Sequence, residues 1–172
     1  LDPETSKSWR RRLGKMRLDH AEDLGVAVQY FRDAVAEDPD DIPSLEGLAD
    51  ATARIGEWEE NAEALQKLVE LAPDEARRVD RLHALAATLR DRVLAPRRAA
   101  AAYDTLLEAD PEDERALKSL AALGESAGRP AADRVDILRR WVELCADPVD
   151  RLECLEDIVT LAEPAGLDPE EL

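Results

Sequence analysis

The sequence predicts an all-α protein, an α-solenoid of about four and a half antiparallel helix pairs stacked in register. Three observations predict it. Aromatic residues make up only 3% of the 172 residues, whereas Ala, Leu, Glu and Arg, the strongest helix formers, are abundant. A proline flanked by acids recurs at positions 3, 39, 73, 111 and 148, at intervals of 36, 34, 38 and 37 residues. A second class of breaker falls between these prolines: Gly25, Gly56 and Gly128, suited to left-handed helix ends, and Pro96 and Pro130, suited to first helical turns.

The prolines fix the corners. Proline drives the preceding residue out of the α region and donates no amide, so EDPDDIPSL, LAPDEARRV, EADPEDERAL and CADPVDRLE each stop a helix. The aspartates that follow, Asp41, Asp74 and Asp113, are placed to accept hydrogen bonds from the open amides of the next helix. Nine helices result, over 6–21, 25–37, 42–55, 57–71, 75–92, 96–109, 113–126, 130–145 and 148–162. They group into units at about 6–41, 42–75, 76–112, 113–147 and a partial 148–172, together one repeat domain.

Apolar spacing supports each helix. Leu45, Leu48, Ala49, Thr52 and Ile55 follow a helical period, as do Leu82, Leu85, Ala86 and Leu89, then Leu117, Leu120, Ala121 and Leu123. Second helices carry Ala27, Phe31, Ala34 and Val35, then Leu65, Leu68, Val69 and Leu71. Ala99, Tyr103, Leu106 and Leu107 continue the series, as do Leu138, Trp141, Val142 and Leu144.

These residues resemble the tetratricopeptide repeat family. In IPSLEGLADATARIGEWEENAEALQKLVELAPDE, Leu45, Leu48, Ala49, Gly56, Trp58, Leu65 and Pro73 sit where that family places packing residues. Ala99, Tyr103 and Pro111 do so in the next unit, and Trp9, Ala27, Phe31, Ala34 and Pro39 in the first. Arg12 stands at a usually apolar position, Asn61 replaces an expected small residue, and the third and fourth units carry extra residues. The resemblance implies a right-handed superhelix whose concave wall, lined by the first helix of each unit, holds a peptide or a partner's helix.

Composition narrows the function. The net charge is −17, yet residues 1–17 hold six bases, Lys7, Arg10, Arg11, Arg12, Lys15 and Arg17, against two acids. The acidic remainder repels nucleic acid, and the basic run is read as a solvated or acid-paired face, with a local anion patch as the alternative. No stretch of about 18 apolar residues encodes a membrane span. A cytoplasmic location is the expectation. Cys145 and Cys154 lack metal-ligand spacing and read as small buried hydrophobes. His20 and His83 are isolated, the seven glycines form no phosphate loop, and no serine lies in a nucleophile elbow. No cofactor and no catalysis are expected.

Register from the packing residues places the groove candidates at Lys7, Arg10 and Arg17 in the first unit and Glu46 and Asp50 in the second. Asp80, His83 and Arg90 follow, then Arg115 and Lys118, then Asp150, Glu153 and Asp157. A wall of alternating sign suits a protein or peptide of mixed or basic charge. Ala122 stands where a carboxylate clamp would need Asn, so a C-terminal carboxylate grip is not expected. The leading function is a non-catalytic interaction scaffold. The alternatives are self-association through the terminal helices, since Leu152, Leu155, Ile158, Val159 and Leu161 make the last helix broadly apolar, and a regulatory domain attached to an enzyme. LDP at 1–3 reads as the end of a preceding unit, and LDPEEL at 167–172 as the start of a tenth helix.

Overall fold

A computed structural model describes residues 3–20 and 23–165, and every regular element among them is helical. The chain divides into two compact units, Leu1–Leu94 and Ala95–Leu172. The first holds α1 (Pro3–His20), α2 (Leu24–Glu37), α3 (Ile42–Ile55), α4 (Trp58–Glu70) and α5 (Glu75–Asp91). The second holds α6 (Pro96–Ala109), α7 (Glu114–Leu123), a short 3₁₀ turn (Gly124–Ala127), α8 (Ala131–Leu144) and α9 (Pro148–Ala165). Within each unit every helix packs on the next, and α1 also touches α3.

The corners show why acids flank the prolines. Asp38 and Asp110, each just before a proline, are extended, and their carbonyls accept from the amides of Asp41 and Asp113 across a four-residue turn. Their carboxylates accept from the amides of Asp40 at 3.3 Å and Glu112 at 3.2 Å. The closing aspartate then caps the next helix: Asp41 accepts from Ser44 N at 3.0 Å and Asp113 from Ala116 N at 2.7 Å. Asp74 caps α5 in the same way through Arg77 N at 2.8 Å. At the last corner Asp147 accepts from Val149 N at 2.8 Å.

Three local expectations are corrected, and α1 begins at Pro3, three residues before the expected start at 6, which its missing amide permits at a first turn. Gly25 lies inside α2 and caps nothing. Pro130 is the residue before α8 rather than within its first turn. The seventh helix stops at Leu123, three residues early, because Gly124 at φ 42°, ψ −123° leaves the helical region and a 3₁₀ turn follows. Gly56 and Gly128 end their helices left-handed, as expected. The LDPEEL segment and the His20 side chain lie outside the described residues.

The predicted stripes form the interior except at Ile55, which is exposed at the end of α3. Phe31, Leu45, Leu48 and Leu68 belong to the core of the first unit, where Leu82, Leu85, Ala86 and Leu89 of α5 are also buried. Tyr103, Leu106, Leu117, Leu120, Leu138 and Trp141 are buried in the second unit. Cys145 and Cys154 are free buried thiols, and burial pushes the Cys154 thiol up to about 11. Asn61, out of place beside small residues in the sequence, is buried between helices. Its amide donates to the Ala49 carbonyl of α3 at 2.6 Å and its oxygen accepts from Thr88 of α5 at 3.3 Å. Trp9, expected to pack, is instead 52% exposed, with the Arg12 guanidinium 5.1 Å from its ring centre.

Candidate functional site

Glycines 14 and 47 interrupt α1 and α3 without a turn to justify them, and the structure gives the reason. A Cβ built at Gly47 would lie 2.1 Å from the Phe31 ring, and one at Gly14 would lie 3.0 Å from it. The two bare positions admit the aromatic ring of α2 between α1 and α3. Above it an open cleft of about 420 Å³ is lined by Arg11, Arg12, Lys15, Leu18 and Asp19 of α1, and by Pro43, Glu46, Gly47 and Asp50 of α3, with Phe31 as floor.

The two rims differ in charge. The α1 rim carries Arg11, Arg12 and Lys15 with one acid, Asp19, and is net basic, whereas the α3 rim carries Glu46 and Asp50. Arg11 also holds the Asp41 cap at 2.9 Å, which ties the basic rim to the start of α3. Asp50 is paired with Arg54 at 3.0 Å, and Arg54 reaches back to the Leu18 carbonyl of α1 at 3.0 Å. An apolar floor between opposed rims can seat a side chain and read charge on both sides of it.

Of the predicted groove residues, Glu46 and Asp50 line this cleft. Arg10 pairs instead with Glu37 of α2, whose hydrogen bond raises the Arg10 pKa, and Arg17 lies 3.9 Å from Asp23. Lys7 is buried against Asp38 at 2.7 Å, and that bond holds the Asp38 carboxyl below the usual range. Asp80, His83 and Arg90 lie on α5, where Asp80 is exposed, His83 is half-buried and Arg90 pairs with Asp91 at 2.6 Å. In the second unit Arg115 and Lys118 lie on α7, and Glu153 and Asp157 on α9, all exposed. Lys118 pairs with Asp150 of α9, which raises the Lys118 pKa, and its ammonium stands 5.3 Å from the Trp141 ring centre.

The alternating signs thus partly satisfy one another between first helices. Glu46 of α3 accepts from Arg81 of α5 at 3.0 Å, and Lys118 of α7 serves Asp150 of α9. Sequence register missed Arg11, Arg12, Lys15 and Phe31 as cleft residues. The mid-helix glycines were the signal that locates them, since such a residue costs helix stability unless something approaches closely. Among the described residues no group of three or more His, Cys, Asp or Glu side chains is arranged to hold a metal, and no helix is long and apolar enough to cross a membrane.

A family model described as tetratricopeptide repeat matches residues 21–76 and 82–147. Among solved structures, MamA AMB-1 superposes with a TM-score of 0.62 at 20% identity, over 98% of this chain and 87% of that one. MamA 41-end from Desulfovibrio magneticus RS-1 gives 0.55 at 17% identity, over 92% and 94%. YrrB, described as a TPR protein with an unusual peptide-binding site, gives 0.58 at 12% identity, over 95% and 79%. No curated protein matches the chain by sequence.

Proposed function

Because this chain belongs to the tetratricopeptide repeat family, which generally mediates protein–protein interaction, we propose that it is a non-catalytic scaffold that seats a partner segment in the α1–α3 cleft. The observation that carries this reading is the Phe31 floor set between rims of opposite sign. A segment of mixed charge fits, with acids toward Arg12 and Lys15 and bases toward Glu46 and Asp50. An apolar side chain between them would cover the floor. The YrrB likeness supports this in kind only, since that protein has a peptide-binding site and shares the fold.

Fluorescence anisotropy with labelled peptides tests the reading. One peptide alternates Glu and Lys around a central Leu, and two controls replace all charges by Lys or by Glu. The mixed peptide binds tightest, weakens on Arg12→Glu with Lys15→Glu, and weakens again in 1 M salt, where screening lengths fall to about 3 Å. Equal binding of all three peptides, or binding indifferent to both the reversal and the salt, would refute it.

A further inference from the structure

Two helices each keep an apolar face that no described residue covers. On α9, Cys154, Ile158 and Ala162 are buried, whereas Leu152 is 58% exposed and Val159 50% exposed, with Val149 and Leu155 alongside. On α1, Trp9 is 52% and Met16 45% exposed, two helical turns apart on the face opposite Gly14 and Leu18. Exposed apolar side chains scattered singly need no explanation, but stripes at helical spacing mark contact surfaces.

Charge says what covers them. The α1 face is flanked by exposed Arg12, Lys15 and Arg17 with one acid, Asp19, and the α9 face by exposed Glu153, Glu156 and Asp157 with one base, Arg151, so the first is net basic and the second net acidic. Pairing α1 with α1, or α9 with α9, would set like charges against each other. Pairing α1 with α9 sets basic against acidic around an apolar seam in each case. We propose that the chain associates head to tail, the outer face of α9 in one copy packing on the outer face of α1 in a second copy. Such a contact is heterologous: it uses two different patches, and each copy keeps one of them open for another. The α1 patch shares Arg12 and Lys15 with the rim of the Phe31 cleft, but the half-blocked variants below change neither of them, so the sedimentation test and the peptide test can fail separately.

Half-blocked chains test it by sedimentation velocity. One variant carries Leu152→Ser and Val159→Glu, leaving α1 intact. The other carries Trp9→Ser and Met16→Glu, leaving α9 intact. The unchanged chain grows in mass as concentration rises from about 1 µM to about 1 mM, the range of a weak specific contact. Each variant alone stays monomeric with unchanged far-UV circular dichroism, and an equimolar mixture forms a one-to-one dimer. Replacing Glu153, Glu156 and Asp157 by Lys weakens the self-association of the otherwise unchanged chain by at least about tenfold in low salt. A unchanged chain that is monomeric throughout would overturn the proposal. So would dimers of either half-blocked variant alone, which mean α1–α1 or α9–α9 pairing, or a mixture that stays monomeric.

Discussion

Gly47→Ala sets two known magnitudes against each other. In an open helix the change stabilises by about 1 kcal/mol, because alanine loses less backbone entropy. Here the new methyl would stand 2.1 Å from one Phe31 ring carbon and 2.3 Å from the next, far inside contact. Phe31 is 3% exposed and held between α1 and α3, so its ring must shift against a packed core. Overpacking of that kind costs about 1–3 kcal/mol. The upper half of that range applies, since three ring carbons lie within 2.6 Å. The net expectation is a loss of about 1–2 kcal/mol. Phe31→Leu removes the outer ring carbons, and in that background Gly47→Ala should be neutral or stabilising by up to about 1 kcal/mol, a coupling of about 2 kcal/mol. Urea unfolding followed by circular dichroism, with midpoint and slope fitted together for all four chains, measures the cycle. Gly25→Ala, with nothing within 4 Å of its Cβ, is the control and should stabilise. If Gly47→Ala raised the midpoint as Gly25→Ala does, the account of the glycine and the cleft floor would be wrong.

Three further outcomes follow from single contacts. Asp74→Ala removes the acceptor of the Arg77 amide and should cost about 1 kcal/mol in urea unfolding, while Asp74→Asn keeps most of the cap. Hydrogen bonds from Arg32 hold the Glu60 carboxyl below its ordinary value of 4.5. A depressed folded pKa gives stability that is present above 4.5 and lost as pH falls toward the folded value, so melting temperature should drop over that acid window. Arg32→Met should flatten the drop, and an unchanged slope would discount the pair. In a Cys145→Ser chain, the remaining Cys154 thiol, pushed from 9.0 to about 11, should hold on the order of 100-fold less thiolate than an open cysteine at neutral pH. Its labelling by a chromogenic disulfide should await unfolding, and rapid labelling of the native chain would contradict its burial.

The helices and the chemistry of their corners were legible in the chain of residues alone. Asp38-Pro39-Asp40-Asp41 and Asp110-Pro111-Glu112-Asp113 make the same turn and the same cap because every bond involved closes within six residues. The stripes Leu82, Leu85, Ala86, Leu89 and Ala99, Tyr103, Leu106, Leu107 were legible for a related reason, since a helix repeats every 3.6 residues whatever it packs on. Where the chain departs locally, as at Gly124, the cause is again one residue's backbone freedom.

Which charges face a cleft and which face a partner within the chain depended on how distant helices pack. Arg10 and Arg11 are neighbours in sequence, yet one reaches Glu37 and the other Asp41, because a helix turns by about 100° per residue. Glu46 finds Arg81 across 35 residues and Lys118 finds Asp150 across 32, and no local rule specifies either meeting. Trp9 sits on a packing position in sequence and in solvent in the fold, since the burial of a side chain depends on what stands opposite it. The cleft exists for the same reason. Two helices far apart in sequence each lack a side chain where one aromatic ring of a third must pass, and only their packing brings the two gaps together around Phe31.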